Sequence, residues 1–128
     1  MHILLDTHIL LWALTEPEKL SQNAQDMLAN PSHEILYSAA SIWEIAIKCQ
    51  IKRVAFPIPP NEIAQAANHS GFTELPVHSR AAVLVSELPL FHRDPFDRLL
   101  VAQALTEPAH LLTVDTALQP YSQLVQLM

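Results

Sequence analysis

Between His92 and Ala104 the chain reads HRDPFDRLLVAQA, which sets two carboxylates, Asp94 and Asp97, three residues apart at the mouth of an apolar run. Three further acids stand alone in apolar surroundings: Asp6 in LLDTHILLW, Glu44 in SIWEIAIK and Asp115 in LLTVDTALQPY. Brought together, such carboxylates cannot all stay ionised unaided, because each raises the pKa of its neighbours. A hard divalent cation resolves that conflict. With oxygen donors only, one cysteine, and no histidine pair at i, i+4, the set favours magnesium or manganese over zinc. His2, His8, His33, His69, His78, His92 and His110 show no HExxH spacing and read as surface or packing residues. Magnesium held by one or two carboxylates keeps several waters and prefers phosphate as its remaining partner, so phosphodiester hydrolysis is the implied reaction. Lys48, Arg93 and Arg98 are then candidates for gripping a phosphate backbone, with charge pairing to the acids as their alternative role.

Each acid also has a plainer reading. Pro95 suits the first position of a helix, where its missing N–H has no intrahelical partner, and Asp94 before it suits the N-cap. Asp97 then falls at the third helical position, where Glu or Gln reaches back to the cap more readily than the shorter Asp. Glu44 precedes Lys48 by four residues, the favourable order for a surface ion pair on a helix. Thirteen acids in 128 residues will offer some cluster in any globular protein, so composition alone leaves these readings open.

The elements that must position these residues follow from apolar periodicity and its breakers. His2–Leu5 reads as a buried strand feeding at Asp6 into the helical HILLWAL, and Ser21 caps a helix running through Asn30. Glu34–Ser38 is a second strand, followed from Ala39 by the helix AASIWEIAIKCQI. Pro57, Pro59 and Pro60 form a linker, and Asn61–His69 is a helix with Gly71 at its C′ position. Phe72–Val77 is a third strand, with Pro76 either confining it to an edge or standing at its end, and Ser79–Leu88 is a helix. The helix opening at Pro95 continues to Pro108; His110–Val114 is a strand ending at Asp115, and Leu124–Leu127 a final edge strand. Short apolar strands alternating with helices, almost without hairpin signals, describe an α/β domain with a mainly parallel sheet. Ligands gather at the carboxyl ends of strands in such sheets, where Asp6 and Asp115 stand.

Length bounds the answer at one domain, residues 1–128. Half the residues are apolar and there is a single glycine, which fits an ordered, helix-rich chain with few tight hairpins. Cys49 lies in an apolar helical pattern, so it is expected buried and inert in a reducing, cytosolic setting. The first residues lack a basic leader region, and no apolar run approaches the ~20 residues of a membrane span. A net charge of −6 argues against a general nucleic-acid coat protein, although Lys48, Lys52, Arg53, Arg93 and Arg98 all lie near the acidic motifs and leave a local phosphate-binding strip open. Trp12, Trp43 and Phe56 are large enough to serve an interface, core packing being the commoner fate.

The four segments LLDTHILLW, SIWEIAIK, HRDPFDRLLVAQA and LLTVDTALQPY, in this order and at these separations, resemble the PIN-domain family and, within it, the small bacterial VapC-type toxins of toxin–antitoxin pairs. The match runs from the first residues to about Tyr121. The resemblance implies a three-layer α/β/α sandwich with a parallel sheet, whose acids bind magnesium or manganese and cleave RNA. Carried over position by position, it makes Asp6, Glu44, Asp97 and Asp115 the catalytic and metal-binding acids. Asp97 is preferred to Asp94 because RLLVAQA follows it at the family's offset, and Asp94 caps the helix or joins the metal. A Thr near the last acid assists in many members, with Thr113 and Thr116 the candidates here. The resemblance further implies a VapB-type antitoxin that covers the acidic groove, and a homodimer. Two other readings remain: a PIN-fold adaptor that binds protein and cleaves little, and a phosphohydrolase acting on small phosphate esters.

Overall fold

The computed structural model describes residues 1–51 and 58–128. The proline linker's first member, Pro57, together with Phe56, Lys52 and Arg53, lies outside the described residues.

Strand β1 (His2–Leu5) is apolar at every position but its first, and it becomes the central strand because both of its faces are covered. It pairs in parallel with β2 (Glu34–Ser38), Ile3 opposite Ile35, and with β4 (His110–Thr113), Leu5 opposite Leu112. The short strands β3 (Thr73–Leu75) and β5 (Val125–Leu127) add to the outer edges, also in parallel. The order is β3-β2-β1-β4-β5, so all five strands run one way, as the scarcity of hairpin signals predicts.

Side-chain alternation along these strands divides the core into two slabs. Ile3, Leu5, Ile35, Tyr37 and Leu112 face one side, where α1 (Thr7–Thr15), α2 (Gln22–Ala29), α3 (Ala39–Ile51) and α4 (Pro60–His69) cover them with Ile9, Leu10, Ala24, Ile45 and Ile63. Leu4, Leu36, Leu75, Leu111 and Val125 face the other, against Leu100, Val101 and Ala104 of α6 (Pro95–Thr106). Complete burial of each such Leu or Ile stabilises the fold by roughly 2 kcal/mol. The result is the expected α/β/α sandwich.

Local chemistry sets the boundaries. Gly71, at φ +85°, closes α4 with its N–H on the Asn68 carbonyl and the Phe72 N–H on that of Ala67, the paired arrangement that a left-handed C′ residue permits. Pro76 ends β3 after three residues, shorter than the Phe72–Val77 segment expected. The helix expected over Ser79–Leu88 stops earlier: α5 covers Ser79–Leu84, and Val85–Glu87 tightens into a 3-10 turn. Arg98 reaches across from α6 to hold the Val85 and Leu88 carbonyls at 3.0 Å each, a tertiary donor that no local pattern announces. Cys49 is only partly buried, packed against the margin of the first slab. Among the described residues, no helix is long and apolar enough to cross a membrane.

The chain steps outward from β1 to β2 and β3, then returns to β4 on the other side of β1 and steps outward again to β5. The reversal opens a crevice at the carboxyl ends of β1 and β4, the place where open parallel sheets collect ligands.

Candidate active site

Asp6 follows β1 directly and caps α1, its Oδ1 accepting the Ile9 N–H at 2.8 Å. It is 4% exposed. The Leu5–Leu112 register sets Asp6 beside Thr113 at the end of β4, and the Thr113 hydroxyl donates to Asp6 Oδ2. That hydroxyl has a single proton, so its remaining capacity is as acceptor, which the Asp115 N–H fills at 3.0 Å. Asp115 caps the 3-10 turn Thr116–Tyr121 through the Ala117 N–H at 2.9 Å. One buried threonine thus ties together the acids at two strand ends.

Glu44 approaches from α3 and is as buried as Asp6, not the surface ion-pair residue of the plainer reading. Its Oε1 accepts the Thr7 hydroxyl at 2.8 Å and its Oε2 the Lys48 ammonium at 2.5 Å. Thr7 also lies 2.9 Å from the Ser41 hydroxyl. A carboxylate only accepts, so Thr7 gives its proton to Glu44 and receives that of Ser41.

Asp97 enters from the first turn of α6, whose N-cap is Asp94: Oδ1 of Asp94 accepts the Phe96 N–H at 2.8 Å and that of Asp97 at 3.4 Å. His92 completes the ring of contacts. Its Nε2 lies 2.7 Å from Asp115 Oδ2 and 3.5 Å from Asp97 Oδ2, and its Nδ1 accepts the Asp94 N–H at 3.0 Å. His92, Asp97 and Asp115 each offer a ligand atom within 4.8 Å of the others.

The electrostatics show that these groups share one region. Burial pushes the Asp97 carboxyl up to about 7, helped by the charges of Asp94, Asp6 and Glu44 and opposed by His92. Burial also raises Asp6, against the hydrogen bonds from Thr113 and Ile9, with Glu44 adding to the rise. At the mouth, burial works upward on Asp115 too, but the Ala117 N–H and His92 outweigh it and hold this carboxyl below its ordinary value. The hydrogen bond to Glu44, ahead of partial desolvation, keeps the Lys48 ammonium above its usual range.

Asp6, Glu44, Asp97 and Asp115 therefore converge, with Asp94 both capping α6 and adding its charge to the field on Asp97. The other named residues divide. Lys48 is committed to Glu44, and Arg93 and Thr116 are exposed. Arg98 is turned away onto the Val85 and Leu88 carbonyls, and Thr113 is fully buried with its hydroxyl spent on Asp6 and Asp115. The Thr113 hydroxyl thus has no proton left for a substrate, while Arg98 keeps an Nε–H that is buried without a hydrogen-bond partner. Residue patterning alone missed His92, treated above as surface or packing, and Thr7. The available signals were position: His92 lies two residues before an N-cap Asp, within reach of its amide, and Thr7 directly follows the first strand-end acid.

A fold of this topology with acids at its switch point defines a class before any comparison is made, and the comparisons agree. A family model, PIN domain, matches residues 3–123, and the chain belongs to that family. It is 30% identical over 123 residues, 93% of this chain and 91% of the relative, to Ribonuclease VapC22 of Mycobacterium tuberculosis. Among solved structures it is similar to VapBC2 from Rickettsia felis bound to a promoter DNA fragment, at TM-score 0.69 and 16% identity, covering all of this chain and 98% of the other. DNA-bound VapBC from Salmonella typhimurium is similar at TM-score 0.61 and 13% identity, covering 100% and 97%. These two likenesses concern the fold.

Proposed function

We propose that this protein is a metal-dependent endoribonuclease, the toxin of a toxin–antitoxin pair, that hydrolyses RNA phosphodiester bonds with magnesium or manganese. The observation that carries the reading is an under-neutralised acid pocket. Asp6, Glu44, Asp94, Asp97 and Asp115 share one crevice with the Lys48 ammonium, and Asp97 is pushed up to about 7. The donors are carboxylate oxygens and two of the acids are buried, which fits a hard cation better than a soft one. Asp6, Glu44, Asp97 and Asp115 are the residues that would hold it, with Asp94 at the margin. When bound, such an ion supplies a Lewis acid for phosphoryl oxygens and lowers the pKa of water at the site.

The chain's own residues do the rest. Thr113 and the Ile9 N–H fix both oxygens of Asp6; Thr7 and Lys48 fix those of Glu44. Orientation is therefore set before any substrate arrives, which removes reorganisation from the reaction step. Arg93, exposed between His92 and Asp94 and in no ion pair among the described residues, is a candidate to take a substrate phosphate. The relative named a ribonuclease supports RNA as substrate, and the similar VapBC structures support a VapB-type antitoxin as partner. A homodimer and a cytoplasmic location belong to the same reading.

Purified protein free of its partner should cut RNA with magnesium or manganese and stop when a chelator is added. Asp6→Asn and Asp97→Asn should remove the cleavage while circular dichroism shows the fold retained. Cutting by both variants at the parent's rate sinks the site assignment. Turnover of phosphate monoesters faster than any RNA would favour a small-ester phosphohydrolase, and tight binding of a partner protein without cleavage would favour an adaptor. Sedimentation of the protein alone tests the dimer.

A further inference from the structure

The distances around His92 invite a three-ligand metal site made of its Nε2, Asp97 and Asp115. The hydrogen bonds contradict that role. The Asp94 backbone N–H can only donate, and it lies 3.0 Å from His92 Nδ1, so Nδ1 carries the lone pair and the ring proton sits on Nε2. Ligation through Nε2 would require the other tautomer, with an Nδ1–H facing the Asp94 N–H. Two donors would then oppose each other in a part-buried turn. The backbone from which the ring departs is itself anchored: the His92 backbone N–H donates to the Tyr121 hydroxyl at 3.0 Å, and Tyr121 packs edge-on against Phe91 at 5.1 Å between ring centres.

With the proton on Nε2, His92 donates to Asp115 Oδ2 at 2.7 Å while the Ala117 N–H occupies Oδ1. Both oxygens of Asp115 are therefore restrained, and the same Nε2–H stands 3.5 Å from Asp97. The α6 cap and the β4 strand end, far apart in the chain, are joined through one imidazole. We propose that His92 is a positioning residue and not a metal ligand: locked as the Nε2–H tautomer by the Asp94 amide, it holds Asp115 in register with Asp97 for a divalent cation. The proposal rests on the cation-dependent reading of the pocket and names which side chain sets its geometry without touching the ion. Outer partners of this kind are worth roughly 10- to 100-fold in metal affinity.

Two measurements on the full chain, neither using RNA, test it. Long-range proton–nitrogen NMR of the imidazoles, with His92 identified by its loss in His92→Gln, should show Nε2–H and a bare Nδ1 both without metal and with saturating Mg²⁺. An Nδ1–H in the Mg²⁺-loaded protein overturns the proposal. Mn²⁺ affinity, read by electron paramagnetic resonance, should fall roughly 10- to 100-fold in His92→Ala. It should stay close to the parent in His92→Gln, whose amide N–H reaches where Nε2–H stood. Equal weakness of the two variants, or an unaltered His92→Ala, overturns it, and His92→Gln keeps the test sound should the alanine variant fold poorly. A parent that binds no Mn²⁺ removes the cation-dependent function itself, an outcome distinct from a binding parent whose His92 proves to be a ligand.

Discussion

Replacing Asp97 with Asn should make the metal-free protein more stable at pH 8 and leave it nearly unchanged at pH 4. Asp97 holds its proton to about 7 in the fold, against 3.8 ordinarily, chiefly because burial and then the charges of Asp94, Asp6 and Glu44 oppose ionisation. The unfolded chain releases that proton first, so folding stability falls as pH rises from near 4 and levels off above about 7. The interval corresponds to at most about 4 kcal/mol, a ceiling that the residue's partial exposure will reduce. Asn keeps the shape and never takes the charge, so Asp97→Asn escapes the loss. Urea unfolding in chelator, run from pH 4 to pH 8, reads the difference; a gain of about 2 kcal/mol at pH 8 would move the melting temperature by roughly 6–10 °C. Saturating Mg²⁺ should reverse the order by stabilising the parent, since an ion that binds only the folded state adds about 2.7 kcal/mol at a hundredfold excess over its Kd. Parallel pH profiles for parent and variant would refute the reasoning, because they would mean that neither burial nor the other acids raise the Asp97 carboxyl.

Three further substitutions probe the supports. Thr113→Val keeps the shape but removes the donor to Asp6 and the acceptor for the Asp115 N–H, and should weaken Mn²⁺ binding by roughly 10- to 100-fold with the fold intact by circular dichroism. Gln103→Leu would leave the buried Ser38 hydroxyl without its 2.6 Å acceptor and the Pro76 carbonyl without its donor, a loss of about 1–3 kcal/mol in urea unfolding. Gly71→Ala meets no atom within 4 Å, so its penalty is conformational alone, about 1 kcal/mol at φ +85°, visible as a lowered melting temperature.

Much of this molecule is legible in local pattern. The apolar runs of β1, β2 and β4, the Asp94–Pro95 opening of α6, the Ser21 cap and the Gly71 terminus all depend on chemistry within a few residues, and each lies where periodicity and breakers put it. The acids themselves were legible too, because a lone carboxylate in an apolar stretch must find either water or a partner. Their partners were not. Lys48 was visible as the i+4 neighbour of Glu44, yet Thr7 beside Glu44, Thr113 beneath Asp6, and His92 beside Asp115 join groups 37, 107 and 23 residues apart, and only strand order and helix placement bring them together. The same holds for Arg98, adjacent to a site acid in the chain but turned by α6 toward the Val85–Leu88 turn. Residue order determined which side chains carry charge and which elements they sit on, since both follow from local energetics. Which charges share a crevice, and hence which protons they hold, was decided by the β1–β4 adjacency, because electrostatic coupling depends on separation in space and on burial, and neither is written along the chain.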